Sequence, residues 1–169
     1  MNMKHIPSII IGLSTLFLTP TAYASSCSKS DLSFVQLAKR SQLAIRGKVI
    51  KYHWSKNDQE QKGRPRAMIV EVKEVYKGVT KLAKVTVWGD NGMQTRPYVT
   101  QFPIGTEWVL ALSKDYWTQK GELAISGCGE YWLQVKGNNV VGKVTDGRIK
   151  AKPQVVSLPN LRKLLKAAP

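Results

Sequence analysis

The sequence predicts a mainly β fold, a small five-stranded barrel of the OB type with a short helix before it and another after it. Three observations point there. Short alternating or wholly apolar runs recur along the chain, separated by glycine, proline and asparagine turns. Helical periodicity is confined to the two ends of the region that follows residue 24. The 169-residue chain is the size of one domain with a modest core. Strands at this spacing in one domain close most readily into a barrel of the OB kind.

The elements follow in order. Ser30-Asp31 resembles a helix start, and Leu32, Phe34-Val35 and Leu37-Ala38 recur at helical spacing. Lys39-Arg40 suit the negative end of the helix dipole, so a helix is expected over about Asp31 to Ser41. Leu43 to Trp54 alternates around Ile45, Gly47, Val49 and Tyr52, with Gly47 marking a bulge or a close approach. Ser55 to Pro65 is polar and reads as an exposed hairpin loop. Ala67 to Tyr76 is a second strand, Lys77-Gly78 a turn and Lys84 to Trp88 a third strand. Gly89-Asp90-Asn91-Gly92 is strong turn chemistry. Met93 to Pro103 reads as irregular, with Pro97 and Pro103. Glu107 to Leu112 is almost wholly apolar and hence a central strand, and Glu122 to Ser126 is a fifth. Trp132 to Val135 and Val140 to Val144 flank Gly137-Asn138-Asn139, a hairpin turn.

The tail opens at Ser157-Leu158-Pro159-Asn160, with proline in the first helical turn, and a helix is expected over about 157–167. Leu158, Leu161, Leu164 and Leu165 form its apolar stripe; Arg162, Lys163 and Lys166 form the other face. A basic amphipathic helix of this kind can lie on a membrane surface. A terminal helix docked on the barrel is the favoured reading.

Residues 1–24 read as a signal peptide. Lys4 and His5 form the basic start, Ile9 to Leu18 is an apolar run too short to span a bilayer, and Ala22-Tyr23-Ala24 is an A-x-A exit. Lipidation would want an aliphatic residue three before Cys27, where Ala24 stands. The expected product is residues 25–169, one domain, exported to the periplasm or the cell exterior, with no later apolar run long enough to span a membrane. An oxidising compartment follows, in which two thiols of one small domain, Cys27 and Cys128, usually join.

Composition narrows the chemistry. The chain carries 26 Lys+Arg against 11 Asp+Glu, a net charge of +15, which becomes +14 once Lys4 leaves with the signal peptide. Such a charge attracts polyanions or an acidic protein partner, although its dispersal from Lys29 to Lys166 argues against one dedicated nucleic-acid stripe. After residue 24 the only histidine is His53, in the strand-like run Lys51-Tyr52-His53-Trp54. Histidine-rich zinc sites and paired CxxC zinc sites are therefore excluded, and a Ser-His-Asp triad would have to use a histidine that reads as an ordinary strand residue. No G-x-G-x-x-G, Walker loop or G-x-S-x-G is present, so neither an enzyme nor a cofactor is expected. The tryptophans are read as barrel core and loop anchors, Trp108 and Trp132 above all.

Several stretches carry a resemblance to a known family. Ser25-Ser26-Cys27-Ser28, a helix ending near Arg40, and Ile45-Arg46-Gly47-Lys48-Val49 resemble the N-terminal domain of the tissue inhibitors of metalloproteinases. Val75-Tyr76-Lys77-Gly78, Glu107-Trp108-Val109-Leu110-Ala111 and Ala124-Ile125-Ser126-Gly127-Cys128 are similar too. The resemblance covers roughly Ser25 to Val144 and implies a netrin-like OB fold. It also implies a Cys27–Cys128 bond, which in the chain-entropy model would contribute roughly 4–5 kcal/mol for a crosslink over about 100 residues. In that family the free α-amine and carbonyl of the first residue chelate the protease's zinc, and the second side chain enters the specificity pocket. The matching positions are Ser25 and Ser26. An unperturbed α-amine, with a pKa near about 8, keeps enough neutral form to bind a metal.

The chain also departs from the pattern. Ser25 stands where the family has its first cysteine, Met93 to Pro103 replaces the segment holding that cysteine's partner, and the cysteine-rich second domain is missing. The function expected from the resemblance is a non-catalytic binding module acting on a protein partner such as a zinc metalloprotease through Ser25, Ser26 and Cys27. The alternative from composition is a basic OB module that binds a polyanion or an envelope protein.

Overall fold

The computed structural model describes residues 31–54, 63–90, 92, 94–114 and 122–166. It is mainly β, with a closed five-stranded barrel and two helices. Helix α1 (Phe34–Arg40) leads into strands β1 (Leu43–His53), β2 (Ala67–Lys77) and β3 (Lys84–Trp88). A 3₁₀ turn (Val99–Gln101) precedes β4 (Glu107–Lys114) and β5 (Leu123–Ala124). Then come β6 (Trp132–Lys136), β7 (Asn139–Gly142), β8 (Gln154–Ser157) and helix α2 (Leu158–Lys166).

The barrel runs β1-β2-β3-β5-β4 and returns to β1. All its contacts are antiparallel except β3 with β5, where Val87 faces Leu123 and Trp88 faces Ala124 in parallel. This is the strand order of a small OB-type barrel. Strand β4 is central, as its apolar run requires: one edge pairs β1 from Leu43↔Leu112 to Lys48↔Glu107, and the other pairs β5 and then β6. Strands β5 and β6 thus share one lane, interrupted by residues 125–131. From β6 the sheet continues outward through β7 and β8.

Gly47 sits at a register shift of β1 against β2. A β-carbon there would lie 2.3 Å from Val70 Cγ1 and 2.8 Å from the Glu71 carbonyl oxygen, so the strands approach too closely for any side chain. The expected bulge and the expected close approach are the same feature.

Two cores result. Inside the barrel, Ile45, Val49, Met68, Val70, Leu110, Leu112 and Ile125 are fully buried. Phe102, from the segment read as irregular, is also fully buried, and its ring meets Trp108 and Trp132 edge-on at 5.0 and 5.7 Å. Outside it, Phe34, Ala38, Val109, Leu133, Val140, Leu158 and Leu161 pack both helices on one face of the sheet. The C-terminal helix is therefore docked through Leu158 and Leu161. Its other tether is Arg162, whose guanidinium donates to the Glu74 carboxylate on β2, with Arg46 Nε 4.0 Å away from the same group. Burial, with Glu74 alongside, pushes the neighbouring Tyr76 phenol up to about 12.

Several elements differ from expectation, β5 among them, which is Leu123–Ala124 rather than Glu122 to Ser126. Helix α1 begins at Phe34 because Ser33, not Ser30-Asp31, is the cap. The Ser33 hydroxyl accepts the Gln36 N–H while the Gln36 side chain accepts the Ser33 N–H, a capping box written in the sequence as S-x-x-Q. Strand β7 ends at Gly142 rather than Val144. Strand β8 was not expected at all. It is four residues long, follows Pro153 and leaves Val155 68% exposed, so it carries almost no alternation to read.

Candidate functional site

The resemblance implies partner-binding residues at Ser25, Ser26 and Cys27, with Cys128 as the disulfide partner of Cys27. The first three lie outside the described residues, as does the whole expected signal peptide. Cys128 lies on the loop that separates β5 from β6, and it is engaged in a disulfide rather than free. The chain's other cysteine is Cys27, and the pairing of the two belongs to the proposal below.

The Cys128 loop is built from the barrel outward. Ile125 is fully buried, and its N–H donates to the Trp88 carbonyl at 3.1 Å, extending the parallel closure by one residue. The Cys128 N–H donates to Ser126 Oγ at 3.2 Å. Between them the Gly127 N–H donates to the Thr95 carbonyl at 3.0 Å. A β-carbon on Gly127 would meet that same oxygen at 3.1 Å and Arg96 Cα at 3.2 Å. The segment around Thr95 and Arg96 therefore lies directly against the Cys128 loop.

That segment is shaped by the turn chemistry visible at Gly89-Asp90. The Asp90 carboxylate accepts the N–H groups of Gly92 and Gln94 at 2.9 and 3.0 Å, while its own N–H donates to the Pro97 carbonyl at 3.1 Å. The Gly89 N–H donates to the Arg66 carbonyl, and a β-carbon on Gly89 would sit 2.6 Å from the Pro97 oxygen. The rim carries ring contacts too: His53 meets Trp88 edge-on at 6.0 Å, and the Arg64 guanidinium lies 4.6 Å over the Tyr98 ring. His53 is an exposed strand-end residue.

A third segment reaches the same place. The N–H groups of Phe34 and Val35, which open α1, donate to the carbonyls of Lys143 and Val144, each at 3.0 Å. The Lys143 ammonium lies 3.7 Å from the Glu130 carboxylate, two residues from Cys128. Both side chains are half-buried, and the pair holds the end of β7 against the Cys128 loop. Lys143 thus links the α1 entry to that loop, its carbonyl accepting the first N–H of α1 and its ammonium facing Glu130. Next to this entry, hydrogen bonds from the Arg148 side chain and backbone hold the Asp146 carboxyl down at about 2.

The Cys128 loop is therefore held directly by the segment around Thr95 and is linked to the α1 entry through Lys143. The chemistry is one of backbone and covalent anchoring. Among the described residues, no three of His, Cys, Asp and Glu gather where they could hold a metal ion. Also among these residues, no helix is long and apolar enough to cross a membrane.

No protein-family model matches the chain, and no curated protein matches it in sequence.

Sequence reasoning missed Thr95, Gly127, Glu130 and Lys143. A backbone hydrogen bond such as Gly127 to Thr95 leaves no side-chain signature, and one Glu and one Lys on either side of a hairpin do not announce a pair, so only Gly127, a glycine beside a cysteine, offered a signal.

Proposed function

We propose that the protein is an exported, non-catalytic binding module that acts on a protein partner through a chain segment beginning at Ser25, in the manner of the metalloendopeptidase inhibitors it resembles. The observation that carries this reading is that Cys128 is disulfide-bonded on a loop whose Glu130 pairs with Lys143, the residue whose carbonyl accepts the first N–H of α1. A Cys27–Cys128 bond would hold Ser25 and Ser26 at that loop, immediately before the anchored residue. The family's pattern has a second disulfide tying its first residue to the segment that Met93–Pro103 replaces. Here the Gly127–Thr95 backbone bond keeps that segment against the loop without one.

On this reading the partner is a zinc endopeptidase. The neutral α-amine and carbonyl of Ser25 would take two coordination positions on the partner's metal and displace its bound water. The short hydroxyl side chain of Ser26 would enter the adjoining specificity pocket. Ser25 lacks the clamp that a cysteine would give it, and ordering it on binding costs affinity. Weaker inhibition than a doubly clamped relative is the expected consequence.

The test is inhibition of a panel of zinc metalloproteases by protein whose N-terminus is verified as Ser25 by mass spectrometry. A second preparation carries one additional residue before Ser25, which removes the chelating amine from its position. Inhibition by the first and not the second is expected. Absence of inhibition by both, or equal inhibition by both, refutes a chelating N-terminus.

A further inference from the structure

The hairpin that joins β2 to β3 exposes apolar side chains the barrel does not use. Val79 is 88% exposed and Leu82 65%, and Val75, at the end of β2, is 39% exposed. Isolated exposed aliphatics are ordinary on protein surfaces. Here they fall within eight successive residues, Val79 and Leu82 on the turn and Val75 on the strand that leads into it, while the remaining large exposed hydrophobics among the described residues, Ile104, Ile149 and Val155, lie elsewhere.

The turn is held out rather than left to collapse. The Val72 N–H donates to the Ala83 carbonyl at 2.9 Å across its base. Gly78, at φ +79°, packs so closely on the start of β1 that a β-carbon would lie 2.4 Å from the Gln42 carbonyl oxygen. The Leu82 N–H donates to Thr80 Oγ1 at 3.2 Å within the turn. Lys77 ties its base to the end of α1, donating to the Lys39 carbonyl and, at 2.7 Å, to that of Ser41.

The surroundings are cationic. The stretch Lys77-Gly78-Val79-Thr80-Lys81-Leu82-Ala83-Lys84 contains no acid, and Lys81 and Lys84 are exposed. The tether through Lys77 brings Lys39 and Arg40 to the same end. The nearest acids along β2 are already paired, Glu71 with Lys73 and Glu74 with Arg162.

We propose that this hairpin is a peripheral membrane contact, with Val79 and Leu82 entering the acyl boundary of an anionic lipid surface and Lys81 and Lys84 seated among its headgroup phosphates. Aliphatic side chains at the tip with ammonium groups just behind them match the layering of a lipid interface, apolar inside and anionic at the surface. A soluble polyanion would use the lysines but offer the two aliphatic side chains nothing, and this distinguishes the two partners.

Flotation of the protein starting at Ser25 with vesicles of 30% phosphatidylglycerol in phosphatidylcholine tests this, and pure phosphatidylcholine vesicles are the comparison (composition chosen at roughly the anionic content that supports electrostatic attachment). Val79→Ser/Leu82→Ser, at exposed positions that leave the core untouched, should weaken partitioning on the order of tenfold or more. Lys81→Gln should weaken it about fivefold at low salt. Binding of soluble polyphosphate should be unchanged by the serine pair. Vesicle binding that survives the serine pair while falling with Lys81→Gln would reduce the hairpin to a polyanion contact and overturn the proposal. So would failure to bind anionic vesicles.

Discussion

Gly47→Ala offers the sharpest test of the barrel's construction. The added β-carbon would lie 2.3 Å from Val70 Cγ1 and 2.8 Å from the Glu71 carbonyl oxygen. Neither can yield easily. Val70 is fully buried in the barrel and β-branched, so its rotamer choice is narrow. The Glu71 carbonyl belongs to the β1–β2 ladder, and β1 is held from its other side by the Gly47↔Trp108 pairing with β4. Overpacking of this sort costs about 1–3 kcal/mol. Reduced freedom of the unfolded chain returns about 0.4–1 kcal/mol. A net loss of about 1–2 kcal/mol is expected, or a fall in Tm of roughly 2–8 °C for a domain of this size. Urea unfolding followed by tryptophan fluorescence should show a lower midpoint with an unchanged slope. Gly137→Ala is the control: nothing lies within 4 Å of its β-carbon, and only its φ of +58° opposes a side chain. That variant should lose about 1 kcal/mol. A Gly47→Ala protein within about 0.5 kcal/mol of the parent would refute the steric argument.

Two further outcomes are expected. Leu161→Ala, at a fully buried position of α2, should cost about 2–5 kcal/mol in urea unfolding, with amide protection lost first in α2; an unchanged protein would mean that the helix does not depend on this contact. The Asp146 carboxyl should titrate near 2 by NMR and return to the ordinary aspartate range in Arg148→Gln. Because the folded value is depressed, whatever stability it contributes is present above the unfolded pKa and lost as pH falls through the folded one; normal titration in the parent would contradict the Asp146–Arg148 geometry.

Much of the fold was legible because its signals are local. Alternation in Ala67–Tyr76, the apolar run Glu107–Leu112 and the Gly137 turn each name their element without outside help. The close approach at Gly47 was legible because a glycine inside a strand of larger residues marks a bulge or a neighbouring backbone. Strand β8 was hidden because a four-residue edge strand whose apolar residues are two adjacent valines shows no period. Phe102 was hidden because a side chain delivered to the core by a 3₁₀ turn follows neither a strand nor a helical pattern. The candidate site was legible only at its covalent anchor, Cys128. Its walls were not: Thr95 meets Gly127 from a segment far away in sequence, and Lys143 meets Glu130 across the β6–β7 hairpin, through contacts that residue-by-residue reading does not encode.

The shortness of β5 has a consequence for how the chain reaches its native state. Strands β1, β2 and β3 can form as successive hairpins, but β1 must then wait for β4, and β3 for Leu123 and Ala124. Until β4 docks, the nascent meander carries two bare edges, and the β3 edge stays bare until Leu123 and Ala124 arrive, each edge able to recruit a strand from another molecule. Non-local closure of this kind places folding toward the slow end for small domains. The vulnerable interval is thus governed by the two-residue strand, and chaperone demand or aggregation during synthesis should respond to changes at Leu123 and Ala124 more than to changes of equal size in β1 or β2.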